Sequence, residues 1–233
     1  MGKVLDLLDR AVYSFAQIDH VLGLHGGTSA RWIDGYTRRG KSYPPVVRHQ
    51  QTGRDTATWG EFVECRLLAE FRESGVPMRR LRPAVERLRS ETNAHYPLAS
   101  AKLWLKPEGR ELFMSVQDEV DLDRRLRFVV RTGQYALPEW TKPAQRFAES
   151  VQWSSDSEDA IPLVIWLDDA RLIQVDPERG FGDPVIAGRG IPTSVLAELH
   201  AAGESVPQIA SQYDLSERQV RAALDHEHVL VSA

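Results

Sequence analysis

Apolar positions recur at helical spacing along much of this chain, and the register is broken by glycine, proline and short serine- or threonine-led caps. The densest punctuation lies between Pro184 and Leu224. There Pro192 and Thr193 open a helix with Val195, Leu196 and Leu199 on one face, and Gly203 stands where a left-handed stop is needed. Ser205 precedes Gln208 by three residues and Ser216 precedes Gln219 by three, the spacing of a capping box. Ile209, Ala210 and Tyr213 give the second helix its buried side; Val220, Ala223 and Leu224 do so for a third, with Glu217, Arg218 and Arg221 outward. Joined at Asp214 and Leu215, these helices predict a helix-turn-helix within a three-helix unit.

The front of the chain repeats the device. Ser14 caps a helix with Gln17, and Phe15, Ile18, Val21 and Leu22 form its face before Gly23. After Gly26-Gly27, Thr28 or Ser29 opens a second helix through Arg31, Trp32, Ile33 and Tyr36. Pro44-Pro45-Val46-Val47 followed by Thr52-Gly53 predicts the strand and turn of a wing. Thr58 and Glu61 cap a further helix burying Phe62, Leu68 and Phe71; from Pro77 another helix carries Arg79, Arg80, Arg82, Arg87 and Arg89, with a break or kink expected at Pro83.

Beyond Tyr96-Pro97 the pattern shortens. Lys102 to Leu105 and Leu112 to Val116 read as strands around Pro107-Glu108-Gly109-Arg110, and Phe128 to Arg131 with Gln134 to Ala136 as a second pair around Gly133. Leu163 to Leu167 and Leu172 to Val175 make a third, after an exposed loop over Ser150 to Asp159. The expected fold is α+β: a helical, winged helix-turn-helix domain in residues 1–95, a small antiparallel β domain in 96–176, and a three-helix homeodomain-like unit with its tail in 177–233. Aromatic residues of the middle region, Trp104 and Trp140 among them, are expected in a core or a dimer surface.

Charge sharpens this division. Residues 1–95 hold 15 Lys and Arg against 11 Asp and Glu, whereas 96–233 hold 14 against 22. Arg31, Arg38, Arg39, Lys41, Arg48 and Arg54 cluster in the front, interleaved with Tyr36 and Tyr43, and are expected to contact DNA phosphates, Arg31 from the reading helix. The same pattern also fits a helical core with a solvated cationic loop, just as the arginines from Arg79 to Arg89 fit either further phosphate contacts or a solvated face. A single cysteine, Cys65, excludes an internal disulfide framework, and with no membrane-length apolar run or signal-peptide core the protein is expected in the cytoplasm.

Two resemblances add to this reading. Asp183-Pro-Val-Ile-Ala-Gly-Arg-Gly-Ile-Pro-Thr, the Ala201-Ala-Gly-Glu-Ser turn and Ile209-Ala-Ser-Gln-Tyr-Asp-Leu-Ser resemble the homeodomain-like family of VapB-type bacterial antitoxins, departing from it at Gly190. The front resembles the winged-helix heads of MerR-like regulators. The first resemblance implies an antitoxin that neutralises a PIN-like ribonuclease toxin and represses its own operon by binding operator DNA. The toxin-facing residues expected are Arg218 and Arg221 with Val229, Leu230 and Val231, an apolar run able to add a strand to a partner or fill its groove. Paired half-sites favour a homodimer.

No catalytic constellation is found. The seven histidines are scattered, and only His226-Glu-His228, on an extended tail, brings two close enough to suggest a metal. His25-Gly26-Gly27-Thr28 reads as a turn between helices, and Asp168-Asp169 as turn formers. No cofactor and no enzymatic activity are expected. The rival reading is a free-standing, ligand-responsive MerR-like transcriptional regulator whose middle domain binds a small molecule.

Overall fold

Four capping pairs start helices where the sequence puts them. In the computed structural model, which describes residues 7–132 and 137–232 (without the side chains of 132, 137, 181 and 228–232), Gln17, Glu61, Gln208 and Gln219 fold back onto Ser14, Thr58, Ser205 and Ser216. At the front, β1 (Ala11–Ser14) runs into α1 (Phe15–Val21), and α2 (Thr28–Ile33) follows Gly27. A hairpin of β2 (Tyr36–Arg38) and β3 (Lys41–Tyr43) comes next. Then β4 (Thr56–Thr58) leads into α3 (Trp59–Phe71). Pairing of β1 with β4 sets Tyr13 opposite Ala57 and lays its ring on Phe62, centroids 4.6 Å apart. With Trp59, Phe62, Val63, Cys65, Leu67, Leu68 and Phe71 all buried, α3 is the central helix of the fold.

Pro83 proves to be a start signal. It lies in the first turn of α4 (Arg82–Thr92), where its missing N–H has no partner to lose, and a separate 3-10 turn, Met78–Leu81, precedes it.

The first expected hairpin of the middle region is not there. Lys102 to Leu105 belong to α5 (Ala101–Leu105) and Leu112 to Val116 to α6 (Pro107–Glu119). Gly109, Phe113, Val116 and Gln117 are buried at i, i+4, i+7 and i+8, a helical stripe, and Pro107 occupies the favoured first position. Gly109 is there for packing: a Cβ on it would meet the Leu103 carbonyl oxygen at 2.0 Å. The next hairpin is real, β5 (Val129–Thr132) pairing with β6 (Leu137–Trp140), although the expected arm Gln134 to Ala136 lies outside the described residues. Buried Gln117 ties it to α6, accepting from the Phe128 and Val129 N–H groups and donating to the Val129 carbonyl at 2.6 Å.

After α7 (Lys142–Ser150), β7 (Val151–Trp153) occupies part of the expected exposed loop. β8 (Pro162–Trp166), β9 (Ile173–Val175) and β10 (Val185–Ile186) complete an antiparallel sheet ordered β10-β9-β8-β7. One apolar cluster reaches from Tyr13 to Val175, across position 95. The sheet likewise runs across position 176, and Ile173 and Ile186 pack into the second cluster with Leu196, Ile209, Val220 and Leu224. That cluster is the core of α8 (Thr193–Ala201), α9 (Val206–Tyr213) and α10 (Glu217–Ser232). Gly203, at φ 104°, ends the α8 turn, and Gly190, the departure from the family motif, takes φ 68° in the turn before Ile191. The tail after Leu224 is not extended: α10 continues through it.

Candidate DNA interface

The two front helices are held at a fixed angle by a carboxylate the sequence does not advertise. Asp19, buried in α1, accepts the Gly27 N–H at 2.5 Å and the Ser29 N–H at 2.7 Å, so a side chain of the first helix caps the second. Ser29 adds a bond from its hydroxyl to the Phe15 carbonyl at 2.8 Å. No signal at capping spacing marks Asp19, because it lies eight and ten residues from its partners. Trp32 and Ile33 turn inward, leaving Arg31 exposed on α2 with Nη2 donating to Thr28 Oγ1 at 2.9 Å.

The hairpin that follows, called the wing below, precedes the segment expected to form one. Arg39 and Gly40 take φ 51° and 74°, the double left-handed turn whose twist matches paired strands, so Arg38 faces Lys41 across a two-residue loop. Tyr36 and Tyr43 stack at its base, centroids 4.6 Å apart, and Arg79 stands 5.5 Å over the Tyr43 ring. Arg38, Arg39 and Lys41 are all exposed. This hairpin lies one segment before the Pro44 to Gly53 stretch of the expectation. Pro44 to Val47 forms no strand; Val46 and Val47 are buried, their N–H groups donating to the Trp32 carbonyl. An Arg-Gly pair between Tyr-Thr-Arg and Lys-Ser-Tyr was the signal available.

Arg48 must be withdrawn from the cationic surface. Its side chain is only 10% exposed and lies between two carboxylates, with Nε 2.6 Å from Glu61 and Nη1 2.8 Å from Asp34. Further bonds reach Thr52 Oγ1 and the Thr56 carbonyl, both at 2.7 Å. Asp34 in turn accepts the Thr52 and Gly53 N–H groups. Burial works against the Asp34 carboxylate, but these bonds and Arg48 hold its pKa below the usual range. Arg48 thus fixes the loop between wing and α3, and the Thr52-Gly53 turn serves that network. Arg54 stays exposed beside it.

Most arginines of the next helix also have structural partners. Arg82 bonds the Pro45 and His49 carbonyls, Arg89 the Val47 carbonyl, and Arg87 pairs with Glu91 and Glu119. They clamp the 45–49 segment and the neighbouring helix.

The C-terminal helix-turn-helix presents a different surface. Arg221 pairs with Glu217 at 2.8 Å and Arg189 with Asp214 at 2.7 Å, while Arg218 is exposed and has no ion-pair partner among the described residues. The unit is seated on the front: Gly182, at φ 84°, lies so close to Tyr13 that a Cβ would meet its ring at 2.7 Å. On α10, Glu227 accepts from Thr193 at 2.5 Å and approaches His20 of α1 to 3.9 Å. His226 is on this helix, so it and His228 do not alternate on an extended tail, and no metal-binding cluster occurs among the described residues. The side chains of Val229, Leu230 and Val231 lie outside the described residues.

Residues 11–85 match the family model "Putative DNA-binding HTH domain", and residues 173–226 match "Protein of unknown function (DUF433)". Along nearly its whole length the chain is 36% identical to "Uncharacterized protein Rv2308" of Mycobacterium tuberculosis, covering 96% of this chain and 93% of that one. The chain belongs to the Rv2308 family. It is also 27% identical, over 93% of this chain and 94% of the other, to "Putative antitoxin VapB45" of the same organism. The crystal structure of Rv2018 from M. tuberculosis shares the fold, with a TM-score of 0.73 at 24% identity over 94% of this chain and 99% of that one. A DNA-binding helix-turn-helix domain at the front of an antitoxin-like protein is therefore supported, and no described helix is long and apolar enough to cross a membrane.

Proposed function

We propose that this chain is the antitoxin of a type II toxin–antitoxin pair, a cytoplasmic, non-enzymatic regulator that binds operator DNA through its front unit and holds a PIN-like ribonuclease toxin through its C-terminal unit. The observation that carries the DNA half is the exposed set Arg31, Arg38, Arg39, Lys41 and Arg54, displayed by α2, the wing and the adjoining loop over a buried scaffold. Full-length similarity to an antitoxin-named relative supports the toxin half. Binding as a homodimer lets two α2 helices occupy paired half-sites and so repress the chain's own operon.

The toxin-facing surface is assigned to α10. Arg218, exposed and without an ion-pair partner among the described residues, is suited to an acidic, metal-dependent nuclease site, while Arg221 first has to leave Glu217. Because the backbone of 229–231 is helical, the tail offers a helix for a groove and not a strand for a sheet edge.

Co-expression with the product of the neighbouring gene tests the reading. The expected result is a neighbour that arrests growth alone and is silenced in a complex that co-purifies; ending this chain at Asp225 weakens that complex. A harmless or non-binding neighbour overturns the antitoxin reading in favour of a ligand-responsive regulator.

A further inference from the structure

A groove of about 1040 Å³ lies between the 3-10 turn Met78–Leu81, the end of α6 and β5. It falls largely outside the 11–85 segment that matches the DNA-binding family. Five arginines line it: Arg79, Arg80, Arg124, Arg127 and Arg131. Two are neutralised locally, Arg80 by Asp123 at 3.0 Å and Arg127 by Asp118 at 2.7 Å, and Asp121 adds a third carboxylate. Arg79 and Arg124 are exposed and have no carboxylate within ion-pair distance among the described residues. The lining is thus net positive even after its internal pairs are counted.

Arg79 belongs to two surfaces at once. It lines this groove and stands over Tyr43 at the base of the wing, so the groove continues the cationic surface that begins at Arg38, Arg39 and Lys41. We infer that the groove is a second phosphate track, holding the backbone of the same duplex beyond the stretch read by α2 and the wing. This rests on the DNA reading above. Charge complementarity and continuity with the wing select a duplex, and such a contact is independent of base sequence, because arginine neutralises phosphate and releases condensed counterions whatever the bases.

The test uses the full chain and random-sequence duplexes of about 12 and about 30 base pairs, with affinity measured against salt concentration. Arg124→Glu is expected to weaken binding to the long duplex about tenfold at low salt and to lower the salt slope by about one, leaving the short duplex nearly unaffected. Arg124→Lys should keep wild-type behaviour, since a phosphate contact needs only the charge. If Arg124→Glu matches wild type on the long duplex while Arg38→Ala, Arg39→Ala and Lys41→Ala together abolish binding, the track is refuted and the DNA reading stands. If no duplex binds the wild-type chain at any salt, both fall. Loss of toxin capture by Arg124→Glu with duplex binding intact would give the groove to an acidic protein segment and overturn the assignment.

Discussion

The two helix-turn-helix units are made with the same local devices and carry opposite charge. Residues 11–85 contain 11 Lys and Arg against 7 Asp and Glu; residues 173–226 contain 4 against 8. Each uses a Ser-Gln capping box, a left-handed stop and an apolar stripe. In the front unit buried Arg48 takes up Asp34 at the end of α2 and Glu61 of α3, and among the described residues the exposed arginines of the wing have no acidic partners. In the C-terminal unit the pairing is on the surface, where Glu217 and Asp214 hold Arg221 and Arg189. Helix-turn-helix geometry therefore does not set the surface charge. That charge depends on where the carboxylates sit relative to the cations.

The sharpest way to break this contrast is to compare one arginine from each unit. Arg48→Ala leaves Asp34 and Glu61 buried without their shared cation and is expected to cost about 3–5 kcal/mol, whereas Arg221→Ala, an exposed pair, should stay within about 0.5 kcal/mol. Urea denaturation of both variants measures the difference. Equal small effects would mean that Arg48 is not the organising group.

A second contrast lies in the cores. Glu64 is fully buried beneath the front unit, with one oxygen accepting the Leu98 N–H at 2.8 Å; among the described residues its other oxygen has no partner and the C-terminal core holds no buried carboxylate. Burial raises the Glu64 pKa to about 8, against partial lowering by the Leu98 N–H and Arg89. A carboxyl with its folded pKa raised from 4.5 to about 8 binds a proton in the native state that the unfolded chain has already released. Stability from this group is thus intact below pH 4.5 and declines as pH rises through that window, by up to about 1.4 kcal/mol per pH unit. Glu64→Gln should remove this slope from the stability–pH profile. An unchanged profile would show that the carboxyl reaches water.

The smallest effect on stability belongs to the residues with the largest expected effect on DNA. Replacing Arg38, Arg39 and Lys41 together by Ala should change unfolding by less than about 0.5 kcal/mol while lowering the salt slope of DNA binding by about three. Replacing Arg189, Arg218 and Arg221 should leave that slope alone. If the second set lowers it as the first does, both units touch DNA and the contrast fails.

Local chemistry was legible where a few adjacent residues suffice. Capping boxes at Ser14, Thr58, Ser205 and Ser216, the stop at Gly203 and the apolar faces of the C-terminal helices were all read from the sequence and stand in the structure. The errors came where one local signal has two physical uses. Pro107 and Gly109 look like a turn, yet Pro107 begins α6 and Gly109 lets that helix approach the Leu103 backbone. Pro83 looks like a kink and is a start.

By itself the sequence determined the starts of the four capped helices, the charge asymmetry between front and back, and the helix-turn-helix spacing at both ends, because each depends on spacing or composition within a short window. Only tertiary structure decided which cations are free. Arg48 and Arg38 are alike in the sequence, but Arg48 has Asp34 and Glu61 brought to it from 14 and 13 residues away, while Arg38 faces Lys41 at the end of a hairpin. Whether an arginine supports the fold or is left to meet phosphate depends on which carboxylates the folded chain places beside it, and that is a property of packing.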